Sequence, residues 1–126
     1  MPVTYEFDGR TLALRLTGFY ETADVRAALL AALDDPACPA LDGLLFDVSG
    51  SRSITQRTAA EVRTMAQFIA AHGGRFGRRL ALVAATDAAF GLMRLGAVGV
   101  EQHGVATSVF RNTADAHHWL GVDRGA

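Results

Sequence analysis

Apolar and polar residues alternate along the first seventeen positions in the manner of two half-buried strands. From Thr4 to Asp8, Tyr5 and Phe7 fall on one face; from Thr11 to Thr17, Leu12, Leu14 and Leu16 fall on one face and Ala13 and Arg15 on the other. Asp8-Gly9-Arg10 between them is a tight-turn signal, so the pair predicts an antiparallel hairpin. Gly18 ends the second strand. A period near 3.6 then takes over: Val25, Ala28, Leu29, Ala32 and Leu33 form the stripe of a helix from Thr22, its expected cap, to about Leu33. Asp34-Asp35-Pro36 stops it, since proline cannot extend the hydrogen-bond ladder.

Leu44-Leu45-Phe46-Asp47-Val48 is a continuous apolar run of the kind buried on both faces of a sheet, and Leu80 to Ala84 is another. Between them Ser49 to Gln56 reads as a polar loop. Thr58 to His72 reads as a helix with Val62, Met65, Ala66 and Ile69 inward, ended by Gly73-Gly74. Thr86-Asp87 caps a third helix running to about Val100. Thr107 to Phe110 is a last strand, Thr113 caps a last helix ending at Trp119-Leu120, and Val122 to Ala126 is a tail. The predicted order is β-β-α-β-α-β-α-β-α. It implies one α/β domain over residues 1–126, with a mixed sheet: an N-terminal hairpin, mostly parallel remaining strands, and helices packed on the sheet.

Composition agrees with this picture and narrows the function classes. A chain of 126 residues with 50% hydrophobic and 20% charged residues has enough apolar surface to build its own core. The 12 basic residues are all arginine, which with the abundance of Ala, Gly and Asp points to a GC-rich bacterial gene. A net charge of -1 offers no electrostatic footprint for nucleic acid or an anionic membrane. No apolar run is long enough to span a bilayer and the N-terminus lacks a signal-peptide pattern, so the expectation is a cytoplasmic protein without membrane insertion. The single cysteine, Cys38, excludes an internal disulfide and a cysteine metal cluster.

The stretch richest in candidate chemistry is Ser49 to Thr58, which leaves a central strand and enters a helix, where open α/β sheets place their ligands. Ser49, Ser51, Ser53, Thr55 and Thr58, with backbone N–H groups, suit an anion, and Arg52 and Arg57 add charge. Neither a Gly-Lys-Ser phosphate loop nor a Gly-x-Gly-x-x-Gly follows a strand. The third helix is apolar around most of its circumference: Phe90, Met93 and Ala97 on one side, Leu92, Leu95 and Val98 on another. It therefore expects the sheet plus a second neighbour, a partner subunit or an apolar ligand. His117 and His118 are adjacent and diverge, His72 and His103 sit at helix ends, and no His-x-x-x-His spacing occurs, so no metal site is expected. Gly-x-Ser-x-Gly is absent. Asp47 is expected to order its loop by accepting backbone N–H bonds.

The element order, Leu45-Phe46-Asp47-Val48-Ser49-Gly50 at the third strand, Ala89-Phe90-Gly91-Leu92-Met93-Arg94, and the ending Val109-Phe110-Arg111-Asn112-Thr113-Ala114-Asp115-Ala116 with Trp119-Leu120 resemble the STAS domain of anti-sigma-factor antagonists. The small bacterial STAS/SEC14-like (SpoIIAA-like) proteins are more similar still. The resemblance implies a STAS-like fold and a regulatory, non-enzymatic module without cofactors, acting on another protein or on itself as a homodimer. The alternative it implies is a carrier of a small apolar, lipid-like ligand, in a pocket beneath the third helix lined by Phe90, Met93 and Leu95. In the antagonists a serine at the start of the helix after the third strand is phosphorylated, usually within Asp-Ser-Ser-Gly. Its place here falls near Gln56, where Thr55-Gln56-Arg57-Thr58 does not match, so only Thr55 or Thr58 remain as substitutes. The interaction surface expected is Ser49, Ser51, Arg52, Ser53, Thr55, Arg57 and Thr58, with Arg63 nearby, together with Phe90, Leu92, Met93 and Leu95.

Overall fold

A computed structural model describes residues 2–121. The expected tail from Val122 lies outside the described residues. The strands are β1 (Val3–Asp8), β2 (Thr11–Gly18), β3 (Gly43–Ser51), β4 (Arg79–Val83) and β5 (Ala106–Phe110); the helices are α1 (Thr22–Asp34), α2 (Ala59–Ala71), α3 (Asp87–Glu101) and α4 (Thr113–Leu120). One five-stranded sheet runs β1-β2-β3-β4-β5, with β1 antiparallel to β2 and every later pairing parallel. The hairpin turns on Gly9, whose φ of 60° suits a residue without a Cβ.

The two faces of the sheet differ. Leu12, Leu14, Leu16, Leu44, Phe46, Val48, Leu80 and Leu82 share one core with Val25 and Leu29 of α1, Ala66 and Ile69 of α2, and Met93 and Val100 of α3. On the other face Ala13, Leu45, Ala81 and Val83 pack with Ala116 and Leu120 of α4. Gly43 makes that second layer possible, since a Cβ there would stand 2.6 Å from Leu120 Cδ2. The alternation along β2, β3 and β4 sends successive side chains to opposite layers, which is why the apolar runs at Leu44–Val48 and Leu80–Val83 are continuous.

Three expectations are corrected locally. Glu21 rather than Thr22 stands at the N-cap of α1, its N–H donating to Asp24 Oδ2 at 2.9 Å. Asn112 rather than Thr113 caps α4, its side-chain oxygen accepting the Asp115 N–H at 2.8 Å. β3 also does not end at Val48: it continues through Ser49 to Ser51, because β2 itself extends to Gly18 and supplies edges for Gly50 and Ser51. Between Asp47 and Gly50 the strand carries one residue more than β2 does between Arg15 and Thr17, a bulge that re-aims the end of β3.

Candidate functional site

At the bulge, Asp47 is buried and its Oδ1 accepts both the Ser49 N–H (2.9 Å) and the Ser49 hydroxyl (2.6 Å). Its other oxygen lies 4.0 Å from Arg15 Nε. This is the ordering role expected of Asp47, and it commits the Ser49 hydroxyl to a donor's task. One turn on, Ser51 Oγ accepts the N–H groups of Ser53 (3.2 Å) and Ile54 (3.1 Å), while buried Ser53 Oγ accepts the Tyr20 N–H at 3.2 Å. These hydroxyls pin the loop to the end of β2 and start the 3-10 turn Ile54–Gln56.

Ser49, Ser51 and Thr55, with Val48, Ile54, Ala85, Thr86 and Ala89, line a hollow of about 150 Å³ at the carboxyl ends of β3 and β4. Thr86 is the N-cap of α3, as its sequence position predicts, and its hydroxyl accepts the Ala89 N–H at 3.2 Å. The two arginines expected to complete an anion site do not line this hollow. Arg57, which follows the 3-10 turn, lines a different hollow, and Arg52 is exposed.

Thr58, placed by sequence pattern on the partner-facing surface, is the N-cap of α2. Its hydroxyl accepts the Glu61 N–H (3.1 Å) and Glu61 Oε1 accepts the Thr58 N–H (3.0 Å). The Thr-x-x-Glu spacing is the sequence signal for this reciprocal cap. The Thr58 N–H bond holds the Glu61 carboxyl below its ordinary value against a smaller desolvation effect, and Arg57 adds to the lowering. Gln56 closes the 3-10 turn two residues before this cap, so the residue at the helix start is Thr58.

Arg57 occupies a second and different place. Its side chain, 16% exposed, enters the mouth of an apolar slot between α2 and the sheet. The guanidinium lies 5.4 Å from the Tyr20 ring centroid, and its Nη1 donates to Glu61 Oε2 at 3.3 Å. Its Nε is buried without a hydrogen-bond partner. Burial pushes the Tyr20 hydroxyl above its ordinary pKa, partly offset by Arg57. The slot, about 50 Å³, has Phe46, Leu80 and Leu82 as its floor and Met65, Ile69, Met93 and Val100 along its walls.

Of the α3 residues expected to line a pocket, Met93 does so. Phe90 and Leu95 do not; Phe90 lies instead beneath Arg111, 4.1 Å from its ring. The glycines of α3 answer a packing demand: a Cβ on Gly96 would stand 3.3 Å from Val62 Cγ1, and one on Gly99 3.6 Å from the Ala66 Cβ. The second neighbour of α3 is therefore α2, seated on small residues. Leu92 and Leu95 are half-buried and Val98 is 57% exposed.

One residue absent from the sequence expectation stands out in the fold. Phe19, 65% exposed, projects from the turn after β2 beside the loop that follows β3. The Arg52 N–H donates to the Gly18 carbonyl at 2.7 Å, which brings exposed Arg52 to the residue before Phe19; Glu21, two residues after Phe19, is also exposed. An exposed aromatic directly after a strand-ending glycine is the signal that marks it.

An uncharacterized protein of the DUF3478 family from Shewanella loihica PV-4, described as having a SpoIIAA-like fold, matches with a TM-score of 0.57 over 94% of this chain and 91% of that one, at 19% identity. The chain has a SpoIIAA-like fold. No family model and no curated protein matches the chain. The SpoIIAA-like arrangement is the one anticipated from Leu45–Gly50 and the element order, with the hairpin at one edge and parallel strands beyond it. Among the described residues no helix is long and apolar enough to cross a membrane.

Proposed function

We propose that this SpoIIAA-like domain is a non-catalytic STAS-type module that acts by binding, and that its partner is a second copy of the same chain. The observation that carries the reading is the patch at the carboxyl ends of β2 and β3, where Phe19 stands 65% exposed, two residues before exposed Glu21 and next to Gly18, whose carbonyl accepts the N–H of exposed Arg52. Aromatic and arginine side chains are the residues that most often anchor interfaces. A patch holding both charge signs is self-complementary under a two-fold axis, which would set Arg52 of one copy against Glu21 of the other. The non-catalytic reading is supported by what the nearby hydroxyls do: Ser49 donates to Asp47, Ser51 and Ser53 accept backbone N–H groups, and Thr58 caps a helix. Sedimentation velocity tests the proposal. Wild type forms a dimer at micromolar concentration and Phe19→Asp is monomeric, while Val98→Glu on α3 keeps the dimer. A wild type that stays monomeric throughout contradicts it.

A further inference from the structure

The two edges of the sheet are unlike. β1 carries exposed Glu6 and Asp8, and charges of one sign along an edge discourage a second chain from pairing there. β5, Ala106-Thr107-Ser108-Val109-Phe110, has no charge, no proline and no bulge, and among the described residues β4 is its one neighbour in the sheet. The Ala106 N–H donates to the Arg78 carbonyl, and the Phe110 carbonyl accepts the Ala84 N–H, both at 2.9 Å. Backbone groups alternate sides along a strand, so Ala106, Ser108 and Phe110 turn theirs to β4 while Thr107 and Val109 turn theirs outward. The Val105 carbonyl, on the same outward side, accepts the Thr107 hydroxyl at 3.0 Å. The open edge therefore consists of the N–H and C=O groups of Thr107 and Val109.

We propose that β5 pairs with β5 of a second copy, antiparallel about a two-fold axis through Ser108, so that one sheet runs through both chains. The free groups select both the occupant and the register. With Ser108 opposite its own copy, Thr107 exchanges two hydrogen bonds with Val109 of the other chain, and Val109 exchanges two with its Thr107. No outward group of the strand is then left unmet. An axis at Thr107 or at Val109 would set the other residue against a position beyond the strand. The side chains agree with the axis at Ser108. Ser108 and Phe110 share the α4 face with Ala81 and Val83, and this register sets half-buried Phe110 against the exposed Ala106 of the other copy. On the opposite face Thr107 meets Val109, a β-branched pair suited to a pleated surface. A few hydrogen bonds and small side chains make a weak contact, with dissociation expected at about 0.1–1 mM. The contact uses neither Phe19 nor Arg52 and lies on the sheet edge away from the hairpin, so it stands or falls separately from self-association through Phe19.

The test uses the full chain carrying Phe19→Asp, which removes the other self-contact. Sedimentation equilibrium should show monomer at micromolar concentration and dimer near about 1 mM. In ¹H–¹⁵N spectra over that range the Thr107 and Val109 amides should shift, while the Ser108 amide, bonded to β4, moves less. With Cys38→Ser added, Ser108→Cys should form an intermolecular disulfide on mild oxidation. Residues facing each other on the axis form a non-hydrogen-bonded pair with Cα atoms about 4.5 Å apart, within reach of that bond. Ala106→Cys, opposite Phe110, should cross-link at least about tenfold more slowly. If Phe19→Asp is already dimeric at micromolar concentration, the Phe19 reading fails and the cross-links still decide this one. A chain that stays monomeric near about 1 mM overturns the proposal. So do equal cross-linking at both positions, which would mean collision without register, and a dimer in which the Thr107 and Val109 amides are unmoved. A peptide of residues 105–111 that shifts those amides in a chain which itself stays monomeric would assign the edge to an extended segment of another protein, and overturns self-pairing.

Discussion

The two hollows that share Ile54, in the loop between β3 and α2, differ in a way their residue types conceal. The hollow at the strand ends is lined by hydroxyls yet offers few free ones. Ser49 donates to Asp47, Ser51 accepts two backbone N–H groups and Thr86 caps α3. The slot beneath α2 is almost wholly apolar, yet at its mouth it holds a buried donor without an acceptor. Polar composition therefore identifies the hollow that holds the loop together, and the apolar slot is the one that leaves a hydrogen bond unmet.

The largest test of this contrast is Phe46→Ala, which removes the floor of the slot from a position only 4% exposed. Deleting a buried ring costs about 3–5 kcal/mol, and urea unfolding should show that loss; a change under about 1 kcal/mol would mean that the slot is already loose. If the strand-end hydroxyls are structural, Ser51→Ala should come next, at about 1–2 kcal/mol, because two N–H groups lose their acceptor. A neutral Ser51→Ala would free that hydroxyl for a ligand and erase the distinction. Thr58→Ala should cost about 1 kcal/mol through loss of the α2 cap, with Thr58→Ser nearly silent.

The smallest effect is in pH. Glu61 and Asp35 both have carboxyl pKa values lowered by folding, Glu61 through the Thr58 N–H and Asp35 through the Ala37 N–H and then the Tyr5 hydroxyl. Lowered values mean that their contribution is fully present above the ordinary carboxylate range. It is lost as pH falls below about 4 through the folded values. Thermal melts of wild type and Glu61→Gln should therefore converge as the solution is acidified. Divergence would assign the acid sensitivity elsewhere.

How much of this was legible in the sequence depends on the range of the interaction. Leu12-x-Leu14-x-Leu16, the runs at Leu44 and Leu80, and Thr86 before α3 mark elements whose pattern follows from burial and capping alone, and the parallel α/β order followed from them. The true caps of α1 and α4, Glu21 and Asn112, each lie one residue before the threonine that pattern reading selects, since both threonines are themselves helical. Ser49 to Ser51 read as loop because nothing local shows that β2 continues far enough to pair with them. Arg57 and Phe19 were harder in the same way. A 3-10 turn carries Arg57 away from the hydroxyls beside it in sequence, and an Arg52–Gly18 backbone bond, 34 positions apart, assembles the exposed patch.

That patch is where the account is most directly exposed to contradiction, through a charge-swap measured by sedimentation velocity. Arg52→Glu and Glu21→Arg are each predicted to weaken the dimer by setting like charges across the two-fold axis, and the doubly swapped chain is predicted to restore it. Dimerisation indifferent to all three chains, or its absence from wild type, would contradict a self-associating module built on Phe19, Arg52 and Glu21.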